Sequence, residues 1–285
     1  MNVGKKKALL VGIRDYPEGG AKPEIEGAHQ DVEDMREVLQ LCKFDKNDMV
    51  MLEDTEATKD RILGAFTNLL DGAHEGDSLV FYFTGYGNQV HDEGSTEPDK
   101  SFEILEPYDI SFSKENPVYI ADEDLARILE QYPLKGVSLD IILDSCYSGG
   151  MSPNRPLVSE EAAKRMIIGF LSGRSKTVVD TSGVNYCFWA SSKEGQQSLA
   201  DVRFEGASRS VFTYYFCKQI RNRNGLITRD SLFWEISPLV RQKVLAETGN
   251  AKQDPQLVAA GNARARNIFE CTEIERLFLK SDVVP

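Results

Sequence analysis

The chain has 285 residues, of which 41% are hydrophobic and 27% charged, with 22 Gly and 11 Pro. These are ordinary globular proportions, and they exclude disorder, collagen and coiled-coil arrays. Forty-five acids against 33 Lys and Arg leave a formal net charge of −12, which argues against nucleic acid and anionic membrane as partners and favours basic ones.

The first strand is predicted over residues 7–13 (KALLVGI). The lysines before it faintly imitate a secretory signal, but the apolar run from Ala8 to Ile13 is too short and no small-residue cleavage site follows. No stretch approaches the ~20 apolar residues of a membrane helix, so the expected location is cytoplasmic. Ala28, Val32, Met35 and Leu39 then share one helical face, and 49–52 reads as a strand. Ile62, Leu63, Phe66, Leu69 and Leu70 form a second stripe behind an N-cap at Thr58. A strand at 79–84 (LVFYFT) precedes a third helix carrying Leu125, Ile128 and Leu129, with Asp122 as its cap. Strands at 139–143 (LDIIL) and 186–190 (YCFWA) flank a Ser-, Gly- and Arg/Lys-rich stretch read as an exposed linker. Helices near 209–219 and 228–247 (with Pro238 inside), a strand at 256–259 and an amphipathic helical tail at 267–280 complete the chain. Near-continuous apolar strands alternating with helices imply a mostly parallel sheet covered on both faces, a three-layer α/β/α sandwich.

Five cysteines stand far apart at 42, 146, 187, 217 and 271, with no CxxC pair, and the histidines at 29, 74 and 91 are equally scattered. Zinc-ligand spacing is therefore absent, and free thiols in a reducing compartment are expected. Two strand ends carry glycine: FYFTGYGNQ at 81–89 and IILDSCYSGG at 141–150. Sites in open parallel sheets gather beyond such carboxyl ends. Cys146, after an apolar strand and before Gly149–Gly150, stands where a nucleophile is presented, although a free cysteine is more often a small buried hydrophobe.

DSCYSGG after an apolar strand, with FTGYG some 60 residues upstream, resembles the caspase-like cysteine peptidases, closest to the metacaspase branch. ALLVGIRDY at 8–16 is similar to the family's first strand, EGAHQDVEDMREVL at 26–39 to its first helix, and YCFWASSKEGQQS, SVFTYYF and DPQL to its small-subunit section. The resemblance implies a caspase-like sandwich around a six-stranded sheet. Its sections would be a large-subunit-like part over 1–150, a flexible linker over 151–183, a small-subunit-like part over 184–262 and a helical tail over 263–285. It also implies that Cys146 is the nucleophile, that Asp31, Thr84 and Asp144 line a pocket for Arg or Lys, and that the backbone at Gly87 and Cys146 faces the oxyanion. Two carboxylates for one cationic side chain make a strong, specific pair. The family's catalytic histidine falls on Tyr86. A thiol of pKa about 8.5 is only a few per cent ionised at neutral pH and relies on a neighbouring imidazole. A phenol with pKa near 10 cannot take its proton, and losing acid–base help forfeits about 10²–10⁴ in rate. His91 is the remaining candidate replacement. Asp122 and Glu123 match part of the family's calcium cluster, but Phe102 stands where an aspartate is expected, and calcium wants 6–8 oxygens. Little or no calcium dependence and no other cofactor are expected. The expected function is binding of basic peptide segments by a pseudopeptidase or a severely impaired peptidase. The competing reading is a working endopeptidase with Tyr86 or His91 as an unconventional base. Oligomeric state is not legible.

Overall fold

The computed structural model of the chain describes residues 4–17, 22–91, 101–113, 115–132, 134–147, 185–193, 196–260 and 262–271, and of these 89–91, 101, 102, 146 and 147 by their backbone alone. The expected linker at 151–183 lies outside the described residues. Strand β1 (Lys6–Gly12) is followed by helix α1 (Ala28–Leu41), β2 (Met49–Glu53), α2 (Lys59–Leu70) and β3 (Ser78–His91). Short strands β4 (Ser101–Leu105) and β5 (Ile120–Ala121) lead to α3 (Asp122–Leu129) and β6 (Ser138–Tyr147). The remainder comprises β7 (Asn185–Ala190), a hairpin of β8 (Val202–Phe204) and β9 (Ala207–Arg209), and helices α4 (Val211–Asn222) and α5 (Arg229–Thr248). It ends with β10 (Gln256–Ala259).

The main path of the sheet runs β10-β7-β6-β3-β1-β2, six strands, with β4 and β5 added beside the upper half of β3. Pairings among β2, β1, β3, β6 and β7 are parallel, whereas β10 returns antiparallel to β7. Because side chains alternate across a strand, the continuous apolar runs fill two cores. Leu9, Val11, Phe81, Phe83, Ile141 and Leu143 face α2 and α3. Leu10, Val80, Tyr82, Ile142 and Trp189 face α1, α4 and α5. This is the three-layer α/β/α sandwich expected from the strand–helix alternation. Below the second core, Arg229 and Asp140, both without exposed surface, form a bidentate pair at 2.8 and 2.5 Å, to which Trp189 Nε1 adds a donor at 3.2 Å.

Several boundaries differ from the sequence expectation. β3 does not stop at Thr84, and β6 does not stop at Leu143. Their parallel ladder continues through Thr84↔Asp144, Gly85↔Ser145, Tyr86↔Cys146 and Gly87↔Tyr147, and β4 then takes up the other edge of β3 from Gly87 to His91. Thr58 does precede α2, but its side chain makes no cap bond; Asp109 Oδ1 accepts from Lys59 N at 2.8 Å instead. Asp122 is the first residue of α3 rather than its cap, which is Ala121, whose N–H is taken by Asp124 Oδ2 at 3.2 Å. In the tail, the described residues form 3-10 turns at Ala263–Ala265 and Ile268–Glu270, not one amphipathic helix. Phe269 turns to φ 55° and buries its ring against Phe44 and Phe216, an anchorage a continuous helix does not allow. Residues 272–285 lie outside the described set.

Candidate active site

The ladder between β3 and β6 decides where the chemistry-bearing positions meet. In register, Thr84 lies beside Asp144 and Tyr86 beside Cys146, at the carboxyl ends of two central neighbouring strands. Gly85 is held to glycine by packing: a Cβ there would come within 2.9 Å of Tyr16 Oη. Gly12, at the end of β1, is equally constrained, since a Cβ would sit 2.4 Å from a Val32 methyl carbon. α1 therefore lies flush against β1, and this carries Asp31 in towards the sheet.

Asp31 and Asp144 are brought together at the N-terminus of α4. Both Asp31 carboxylate oxygens accept from Ser210 N, at 3.0 and 3.1 Å. Asp144 Oδ1 accepts from Ser198 Oγ at 2.7 Å, and its Oδ2 from Thr213 Oγ1 at 2.6 Å and Thr213 N at 3.2 Å. With the Thr213 hydroxyl proton directed at the carboxylate, Tyr82 Oη donates to Thr213 Oγ1 across 2.8 Å. Gln253 Nε2 donates to Ser198 Oγ at 3.0 Å and fixes that hydroxyl in turn. The two acids are 0% and 3% exposed. Burial pushes the Asp31 carboxyl well above the usual range, and the Asp144 charge pushes it further. Burial also raises Asp144, against hydrogen bonds from Thr213, Ser198 and Ser191 that hold it down. Tyr82 is raised by burial and by both acids. A pair of desolvated carboxyls that oppose each other's ionisation is a setting in which a guanidinium or ammonium is strongly favoured, because an opposite charge reverses the shift.

Tyr86 is tied down by its own neighbours. Its Oη donates to the Pro23 carbonyl at 2.8 Å, and its backbone N–H donates to Tyr16 Oη at 2.9 Å. Tyr16 Oη donates onward to the Glu106 carbonyl at 3.1 Å, and the Tyr16 and Tyr86 rings lie 5.1 Å apart. The phenol proton of Tyr86 is thus engaged by a backbone carbonyl. His91 closes the same strand in register with Ser101. Five extended residues put its backbone about 17 Å from that of Tyr86. Gly87 pairs with Tyr147 on one side and Leu105 on the other. Asp122 and Glu123 lie in the first turn of α3, where Asp122 Oδ1 accepts from Glu123 N at 2.9 Å. Among the described residues no group of three or more His, Cys, Asp or Glu converges as a metal site.

Sequence reasoning missed Ser198, Ser210, Thr213 and Gln253, which position the two acids from the distant half of the chain. The hydroxyl-rich segments SSKEGQQS and SVFT carried a signal for the first three.

A family model described as metacaspase, peptidase C14 domain, matches residues 6–154, a span that contains Asp31, Thr84, Tyr86, Asp144 and Cys146. The chain belongs to the metacaspase family. It is 27% identical over 311 residues to Metacaspase-1 of Pyricularia oryzae, an alignment covering 93% of this chain and 74% of that relative. It is 28% identical over 263 residues to Metacaspase-1A of Aspergillus terreus, covering 76% of this chain and 63% of that relative. Among solved structures, a Geobacter sulfurreducens protein superposes with TM-score 0.62 at 20% identity, over 90% of this chain and 94% of that one. Caspase-1 from Spodoptera frugiperda does so with TM-score 0.57 at 13% identity, over 90% and 86%. These two establish the caspase-like fold of this metacaspase-family chain. Among the described residues no helix is long and apolar enough to cross a membrane.

Proposed function

We propose that this metacaspase-family chain binds peptide segments containing Arg or Lys and is a severely impaired peptidase. Asp31, Asp144 and Thr84 form the pocket for the basic side chain, Cys146 is the nucleophile, and the Gly87 and Cys146 backbone amides face the oxyanion. Tyr86 stands at the family's histidine position. The observation that carries this reading is the register pair Tyr86↔Cys146, adjacent positions on neighbouring strands where an acid–base partner for the thiol belongs. A phenol whose proton is held by the Pro23 carbonyl neither takes the thiol proton nor hands one to a leaving amine. The two buried, mutually opposed carboxyls support recognition of a cation, and the chain's charge of −12 favours basic partners over nucleic acid. We further propose that the large- and small-subunit-like sections work as one joined unit, that the protein acts in the cytoplasm, and that it needs no cofactor.

The test is incubation with an Arg-directed covalent inhibitor, followed by mass spectrometry of Cys146. Slow, sub-stoichiometric labelling that competes with Arg peptides is expected. Rapid stoichiometric labelling together with peptide turnover overturns the impaired reading, and labelling indifferent to Arg peptides overturns the pocket.

A further inference from the structure

Tyr86 has neighbours that the peptidase reading leaves unused. Lys22 Nζ lies 4.8 Å from the centre of the Tyr86 ring and 5.9 Å from that of Phe112, and it pairs with Glu106 Oε2. Asn88 Nδ2 donates to the other carboxylate oxygen of Glu106 at 3.3 Å. The Glu106 side chain is fully buried while that of Lys22 keeps 26% of its surface in solvent, and Phe112 is 53% exposed. A carboxylate floor with aromatic faces above it is the arrangement that holds an ammonium or guanidinium.

We propose that Glu106, Tyr86 and Phe112 form a second cation-binding subsite, separate from Asp31 and Asp144, which accepts a Lys or Arg side chain of a bound peptide in exchange for Lys22. The floor is a buried carboxylate, and such a group needs a counter-cation from whichever molecule supplies one. The present occupant reaches it from a partly solvated side chain, so exchange does not require the core to open. Tyr86 follows Thr84 by two residues along β3, about 7 Å, a distance at which side chains of one extended peptide recur. The subsite also accounts for an aromatic ring at position 86, since a neutral phenol attracts a cation, whereas a protonated imidazole in its place repels one. The existence of the subsite does not depend on the assignment of Asp31 and Asp144; only its use alongside them rests on the proposed function.

Thermal unfolding of the full chain with n-butylammonium chloride, a lysine side-chain mimic, tests the subsite alone. Lys22→Ala is expected to gain about 2 °C or more in Tm over the same concentration of KCl, and Lys22→Ala with Glu106→Gln to gain nothing. Equal responses in the two variants overturn the proposal. Wild-type protein offers a check that no variant's folding affects. Amine acetylation of Lys22, read by mass spectrometry, is expected to rise at least threefold when N-acetyl-Arg-Ala-Arg-amide is present at saturating concentration, and to stay constant with a one-Arg peptide. Unchanged Lys22 acetylation with the two-Arg peptide refutes the exchange. Failure of the one-Arg peptide to bind at all, measured by calorimetry, counts instead against the Asp31–Asp144 pocket.

Discussion

Asp144→Asn separates the proposed binding role of the acidic pair from its structural role. Asp144 receives two bonds from Thr213 on Oδ2 and one from Ser198 on Oδ1, with Ser191 as a further donor. An asparagine that keeps its oxygen towards Thr213 retains two of these, and its NH2 then faces the Ser198 hydroxyl, which can rotate to accept. The stability cost is therefore one to two hydrogen bonds, about 1–2 kcal/mol, visible as a small loss in urea unfolding. Binding suffers far more. Removing one partner of a desolvated charge pair costs ~2–5 kcal/mol, and each 1.4 kcal/mol is about tenfold. An Arg-terminated peptide aldehyde is thus expected to bind the variant well over tenfold more weakly in isothermal titration. Because burial raises the Asp31 and Asp144 carboxyls and the cation requires their ionised forms, binding to wild type releases protons. Affinity should climb as pH rises through those raised values, and Asp144→Asn should flatten the climb. Equal affinity in wild type and variant, with both folded, refutes the pocket.

Three further outcomes are expected. The raised Asp31 carboxyl makes the native state bind more protons than the unfolded one, so its contribution to stability is present below the ordinary carboxylate range and is lost as pH rises through the native value; urea titrations of Asp31→Asn should show a shallower decline over that window than wild type. Asp140→Ala should lose about 2–3 kcal/mol in urea unfolding, since it takes the bidentate partner from the buried Arg229 guanidinium and leaves it Glu270 Oε1 at 2.9 Å as its remaining carboxylate; a loss under about 1 kcal/mol contradicts that. Purified protein should remain a single chain near 31.9 kDa, with or without calcium, on electrophoresis over days, although 151–183 offers Arg155, Lys164, Arg165, Arg174 and Lys176 as sites; fragments that disappear in Cys146→Ala would contradict the impaired reading.

How much was legible follows from what each signal measures. Continuous apolar strands mark burial on both faces, so the main-path strands and the helical stripes of α1 and α2 stood out. Strand ends did not, because β3 beyond Thr84 and β6 beyond Leu143 are extended by pairing with each other and with β4, and Gly85 and Gly87 read locally as breakers. Asp31 and Asp144 were identified through motif resemblance, but their closure beneath Ser198, Ser210 and Thr213 joins residues up to 179 apart in sequence, which no local pattern encodes. The Lys22–Glu106 pair spans 84 residues for the same reason. Over 267–271 the chain departs from its helical pattern because Phe269 contributes apolarity to that pattern yet is used as a single buried anchor.

The central claim is that the residue beside Cys146 lacks a base, and Tyr86→His tests it most directly. The change gives up the bond from Tyr86 Oη to the Pro23 carbonyl, about 1 kcal/mol, and the ring face under Lys22. The backbone at 86 is kept, because Tyr16 Oη accepts its N–H whatever the side chain. Hydrolysis of Arg- or Lys-containing fluorogenic peptides by the folded variant should rise at least ~10²-fold over wild type, and the gain should vanish when Cys146→Ala is added. A folded Tyr86→His protein that cleaves no faster than wild type would contradict the account.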